Sequence, residues 1–124
     1  MAKAHPTLTA LRAACKGLVY ASETDAPVKA FAWPGGGHAP TAADVLARSE
    51  AAADSPVEES TVAAFFRGVP KAAKADYLHL AGVLADHLSG AKVFLVGEVR
   101  RTAYVVGTAA DGTWAGVTTQ LVET

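Results

Sequence analysis

Residues 116–124 read Gly-Val-Thr-Thr-Gln-Leu-Val-Glu-Thr, a run rich in β-branched residues with strand-like alternation. A strand that stops at Thr124 would aim three groups at one point: the Thr124 hydroxyl, its α-carboxylate and the Glu123 side chain. Hard oxygen donors of this kind are the ligands that Mg²⁺ and Ca²⁺ take. The plain alternative is that the chain stops where its sheet does. A second group of oxygens lies in the polar stretch Ser22-Glu23-Thr24-Asp25-Ala26-Pro27, which reads as a turn. Turn and terminus both constrain the direction of their side chains. Glu23, Thr24, Asp25, Glu123 and Thr124 are therefore the candidate partner-binding edge. The acidic middle, with Asp44, Glu50, Asp54, Glu58 and Glu59, reads instead as a solvated face.

Other chemistries are poorly supported. The loop Pro34-Gly35-Gly36-Gly37-His38-Ala39-Pro40 lacks the Lys-Ser/Thr of a phosphate loop and the spacing of a dinucleotide fingerprint. His79 and His87 fall about 80° apart on a helix at ~100° per residue, and no His pair has i, i+4 spacing for zinc. Cys15 sits near the end of a helix, on its apolar side, where a thiolate is not favoured. No Gly-x-Ser-x-Gly elbow occurs. An enzyme would have to combine distant groups, such as Glu23 with His38. The reading is therefore non-enzymatic, with no cofactor.

At 124 residues the chain is expected to form one domain, 1–124, large enough to fold without staples. Its net charge of −1 supplies no basic field for direct nucleic-acid binding. One cysteine excludes an internal disulfide framework. No apolar run follows Lys3, and none elsewhere reaches membrane-spanning length, so a cytoplasmic location is expected.

These groups must be carried by elements that the pattern also predicts. Thr7 is a candidate N-cap for a first helix with Leu8, Leu11 and Cys15 on one side and Gly17 as its stop. Strands are expected at Leu18–Tyr20 and Val28–Trp33, the second placing Phe31 and Trp33 on one face and Val28, Ala30 and Ala32 on the other. Thr41 and Asp44 form a capping-box signature for a helix through Arg48. Val57–Glu59 suggests a short strand. Ser60 or Thr61 caps a brief helix with Val62, Phe65 and Phe66, broken at Pro70. Ala72–Leu88 predicts the longest helix, with Tyr77, Leu80, Leu84 and Leu88 as its core stripe and Ser89-Gly90 as its stop. Strands at Val93–Val99, Ala103–Gly107 and Trp114–Val122 follow, with turns at Arg100-Arg101 and Ala110–Thr113. The expected class is α+β, helices packed on an antiparallel sheet that ends in a C-terminal meander.

The run from Leu11 to Pro27, LRAACKGLVYASETDAP, and then Phe31-Ala32-Trp33-Pro34-Gly35, resembles the start of the nuclease A inhibitor family. Phe65-Phe66, Val96-Gly97-Glu98-Val99, Tyr104-Val105-Val106-Gly107, Ala115-Gly116 and Leu121-Val122-Glu123-Thr124 follow the same family in order and spacing. The resemblance covers nearly the whole chain. It implies a three-layer α/β/α sandwich. It also implies a one-to-one complex with a metal-dependent, sugar-nonspecific endonuclease. In such a complex Thr124 would reach the nuclease's catalytic metal and Glu23 would make a second contact. One segment departs: Arg67-Gly68-Val69-Pro70-Lys71-Ala72-Ala73-Lys74-Ala75 is shorter than its family counterpart, carries no Trp and is positively charged. The departure keeps a second reading open, a binding module of the same fold with another protein partner and no nuclease inhibition.

Overall fold

Two opposed layers of apolar residues are built into the last three strands, and they dictate the architecture. In a strand, successive side chains point to opposite faces. Along Lys92–Val96, Val93 and Leu95 enter one core while Phe94 and Val96 enter another. A sheet apolar on both faces must be covered on both. The computed structural model describes residues 6–21, 25–49, 54–67, 69, 71–98 and 100–122.

The described elements run in the order α1 (Pro6–Cys15), β1 (Val19–Ala21), β2 (Asp25–Pro27), β3 (Lys29–Trp33), α2 (Ala42–Arg48), β4 (Val57–Ser60) and α3 (Val62–Arg67). A short 3-10 turn (Lys71–Ala73), α4 (Lys74–His87), β5 (Leu88–Val96), β6 (Arg100–Ala109) and β7 (Trp114–Val122) follow. Strands β1 and β2 form a small hairpin. The main sheet has the order β3-β7-β6-β5-β4, with antiparallel pairing throughout. Helices α1, α3 and α4 supply Leu11, Phe65, Phe66, Tyr77, Leu80 and Leu84 to the larger core on one face. Helix α2 supplies Val45 to a smaller core on the other, against Phe94, Val106 and Trp114. This is the expected α+β arrangement with helices on both sides of an antiparallel sheet.

Most of the local expectations hold. The two faces of β3 are as expected, with Val28, Ala30 and Ala32 against the larger core and Phe31 and Trp33 against the smaller. The capping box is present: Asp44 N–H donates to Thr41 Oγ1, and Thr41 N–H donates to Asp44 Oδ2. Thr61 Oγ1 accepts from Ala64 N–H at the start of α3. Tyr77, Leu80, Leu84 and Leu88 are all buried. Cys15 is buried too, and desolvation pushes its thiol pKa up, so it is a core residue rather than a nucleophile.

Four local expectations need correction. Thr7 lies inside α1, buried, with Pro6 ahead of it in the helix; proline fits a first turn, where its missing N–H has no partner to lose. Asp25–Pro27 is not part of a turn but a strand, recruited by pairing with Val19–Ala21. Ser89-Gly90 does not end α4 with a turn. The chain passes directly from His87 into extended Leu88, which pairs with Ala109. A bulge between Ser89 and Lys92, with Gly90 at φ 62°, then adds a residue. That extra residue keeps Leu88 and the later Ala91, Val93 and Leu95 on the same face. Arg100 and Arg101 belong to β6 rather than to a turn, because they pair with Val122 and Leu121. The reversal falls before them, with Gly97 at φ 116°. Pro70 and Val99 lie outside the described residues.

Candidate functional site

The β1–β2 hairpin, whose strands flank residues 22–24 in sequence, is fastened at several points. Val28 N–H donates to Leu18 O at 3.0 Å. The Tyr20 hydroxyl donates to Phe65 O at 3.1 Å, and its ring stacks on Phe65 at 4.4 Å between centroids. The Tyr77 hydroxyl reaches from α4 to donate to Val19 O at 2.7 Å. Thr119 Oγ1 lies 3.0 Å from Pro27 O and 3.3 Å from Ala26 O, joining β2 to β7. Strand β3 pairs Lys29 with Thr118, and β2 precedes it, so β2 runs beside the later part of β7.

This places one of the five site residues expected from sequence. Asp25 opens β2 opposite Ala21, and only its backbone is described. Glu23, Thr24, Glu123 and Thr124 lie outside the described residues. The strand leading to the last two, β7, is paired by β3 as far as Thr118 and by β6 as far as Val122.

Tyr77 links this hairpin to pH. Burial, reinforced by the nearby Tyr20, pushes its pKa from 10.0 up to about 12. Its hydroxyl is a donor, so the neutral form is the one that holds Val19. Because the folded-state pKa is raised, this stabilisation is complete below pH ~10 and is lost as pH rises through about 12. Alkaline unfolding followed by circular dichroism should show that loss. Tyr77→Phe should flatten the pH dependence over that window while costing ~1 kcal/mol at neutral pH for the missing hydrogen bond.

The pairing of Glu23 with His38 as a catalytic couple has a competing arrangement. His38 Nε2–H donates to Asp44 Oδ2 at 2.9 Å, and its ring meets Trp114 edge-on at 5.5 Å. The His38 hydrogen bond, with those from Thr41, holds the Asp44 carboxyl below the usual carboxylate range. His38 thus helps close the Pro34–Pro40 loop over Trp114, whose Nε1–H donates to His38 O at 2.9 Å. Among the described residues no group of three or more His, Cys, Asp or Glu side chains is arranged to hold a metal ion. Among the described residues, no helix is long and apolar enough to cross a membrane.

Two surface depressions were not anticipated from sequence. One is an apolar groove of about 660 Å³ between α3 and α4, lined by Val62, Phe66, Leu78, Ala81 and Leu88 and edged by Arg67 and Lys74. Leu78 is 68% exposed there, on a helix whose opposite side feeds the core. The second is a polar basin of about 860 Å³ on the α2 face of the sheet. Its signal was present as the alternation Arg100, Thr102, Tyr104, but alternation alone does not say which residues of other strands lie alongside.

In comparison with known proteins, residues 5–124 match the family model NuiA, described as nuclease A inhibitor-like protein. No curated protein matches the chain.

Proposed function

We propose that this chain, which belongs to the nuclease A inhibitor-like family, is a protein inhibitor of a metal-dependent, sugar-nonspecific endonuclease. The observation that carries the reading is the family match, which spans residues 5–124. The inhibitor is not an enzyme, needs no cofactor and forms a one-to-one complex in the cytoplasm as a single domain. Such a nuclease holds its catalytic ion with water in the positions that receive a scissile phosphate. Thr124 replaces a water there, its oxygens standing in for phosphate oxygens, and Glu123 lies next to it. Glu23, flanked by Thr24 and Asp25, makes the second contact.

The fold supports this arrangement. The hairpin and the end of β7 are joined through Thr119, Ala26 and Pro27, and Tyr20 and Tyr77 anchor the hairpin to α3 and α4. Contact groups carried on fixed elements lose little freedom on binding, which favours affinity.

The test is inhibition of a purified sugar-nonspecific nuclease, titrated to its endpoint. Activity should vanish at one inhibitor per nuclease, and an inert titration would reject the reading. Glu23→Ala should raise the dissociation constant roughly tenfold, a loss of ~1.4 kcal/mol. An unchanged constant would remove Glu23 from the interface.

The apolar groove favours a second reading, in which the same fold serves another protein partner. Of the segment Arg67–Ala75, Arg67, Val69 and Lys74 line the groove. Capture experiments separate the two. A nuclease recovered by the intact protein and lost with Glu23→Ala supports the first. A partner lost only when Leu78 is replaced by Glu, in a protein without effect on nucleases, supports the second.

A further inference from the structure

The face of the main sheet beneath α2 is only partly covered. Helix α2 has seven residues and sits over Phe94, Val96, Val106 and Trp114. Beyond its end lies the basin of about 860 Å³. The register fixes what lies on its floor. Lys29 is opposite Thr118, and Thr118 is opposite Tyr104. In the next row Gln120 is opposite Thr102, and beyond it Arg100 is opposite Val122. Trp33 and Arg48 stand at the wall.

The charge of this basin is one-sided. Its described lining includes the cations Lys29, Arg48 and Arg100 and no carboxylate, in a chain whose net charge is −1. Of the described acids nearby in the fold, Glu58 pairs with Arg101, Glu59 with Lys92 and Asp44 with His38; Asp54 and Glu98, next in sequence to the lining residues Ser55 and Gly97, form no ion pair with Lys29, Arg48 or Arg100. Lys29 and Arg100 have no carboxylate partner among the described residues. Arg48 is held in place, its Nη1 donating to Pro34 O at 2.8 Å and its guanidinium 4.7 Å from the centre of the Trp114 ring. The other guanidinium N–H groups of Arg48 remain available as donors.

Lys29 and Arg100 are two strands and four residues apart. With ~4.8 Å between strands and ~3.3 Å per residue, their Cα atoms are roughly 16 Å apart. Side chains of that length can converge on one small anion between them. Thr118 Oγ1 already donates to Ala103 O at 2.9 Å, so Thr102 and Gln120 are the neutral donors on the floor. A phosphate brings ~2 negative charges and three strong acceptors, and the planar guanidinium fork matches it. The Trp33 and Tyr104 rings, 5.3 Å apart, offer an aromatic wall for an organic remainder. The volume is in the range of ~300–1,000 Å³ typical of small-molecule sites.

We propose that this basin binds a small phosphorylated molecule, its phosphate held between Lys29 and Arg100 above Thr102 and Gln120. This assignment does not rest on nuclease inhibition, and the basin borders the proposed partner-binding edge through Ala26, Pro27, Thr119 and Gln120. It is tested on the full chain by ¹H–¹⁵N NMR titration at low salt with inorganic pyrophosphate, adenosine 5′-monophosphate, adenosine and citrate. Pyrophosphate and the nucleotide should each give saturable shifts at Lys29, Arg100, Thr102 and Gln120, and adenosine and citrate should not. Tighter binding of the nucleotide assigns the site to an organic phosphate lying against Trp33. Tighter binding of pyrophosphate assigns it to inorganic phosphate. Lys29→Glu and Arg100→Glu should each weaken binding by at least roughly tenfold with an unchanged circular dichroism spectrum. Lys29→Gln should give a smaller loss of the same sign. Absence of saturable shifts, shifts confined to another surface, equal binding of citrate, or unaltered affinity in both charge reversals would each overturn the assignment.

Discussion

Deletion of Thr124 should weaken inhibition of the target nuclease by at least about 30-fold, corresponding to the ~2 kcal/mol or more typical of a hot-spot residue. A short C-terminal extension after Thr124 should act in the same direction, because it converts the α-carboxylate into an amide and adds bulk beyond the contacting group. The reasoning begins with ion chemistry. Mg²⁺ takes hard oxygen ligands and exchanges bound water for a substrate oxygen. A Thr hydroxyl with an adjacent carboxylate supplies oxygens of that type. The strand leading to it is held by the β6 ladder through Val122, so loss of the last residue should leave the fold intact. Melting temperature should therefore stay constant while the inhibition constant rises. Removing the nuclease's metal should weaken binding of the intact protein and leave the deletion variant almost unaffected. Equal potency of the intact, deleted and extended proteins would eliminate the metal-plug mechanism.

The second large effect falls on the fold. Gly116 in β7 lies opposite Phe31 on β3 and Val106 on β6. A Cβ at this position would overlap the Val105 carbonyl oxygen and stand 3.0 Å from Val106 Cα. The obstruction is backbone, which cannot swing aside as a side chain can. Gly116→Ala should cost ~3 kcal/mol or more, at the upper end of overpacking effects. Domains of this size are stable by only ~5–15 kcal/mol. A larger Gly116→Val change should therefore leave little folded protein. The missing side chain has a second consequence. Phe31 and Tyr104 sit on the strands either side of β7, and their rings meet edge-to-face at 5.8 Å. Urea unfolding of Gly116→Ala would measure the cost, and a change under 1 kcal/mol would refute the close approach.

The helices were the most legible elements. Their signals are local: a Thr-x-x-Asp box at Thr41, a hydroxyl cap at Thr61, and a stripe from Tyr77 to Leu88. Each depends on groups within a turn or two of one another. The faces of β3 were legible for the same reason, since alternation is a property of the chain itself. Apart from Thr7, the misread segments are those in which pairing with another strand decides. Asp25–Pro27 looks like a turn by composition, yet pairing with Val19–Ala21 makes it a strand. Ser89-Gly90 looks like a helix stop, yet pairing with Thr108 and the bulge make it part of β5. Arg100-Arg101 looks like a hairpin tip, yet the partner residues Leu121 and Val122 draw it into the ladder. Backbone hydrogen-bond partners are supplied by another strand in each case, and composition does not encode them.

The candidate sites divide along the same line. Oxygen-rich residues at 22–25 and 123–124, the family to which residues 5–124 belong, and the balance of charge are properties of the chain read in order. Tertiary structure alone decided that β2 runs beside the later part of β7, fastened through Thr119, Ala26 and Pro27. It alone gathered Lys29, Arg48 and Arg100, spread over 72 positions of sequence, around one basin free of described acids. The physical reason is register. Antiparallel pairing sets which residues of separate strands share a row and a face, and a slip of one residue would turn each set to the opposite side of the sheet.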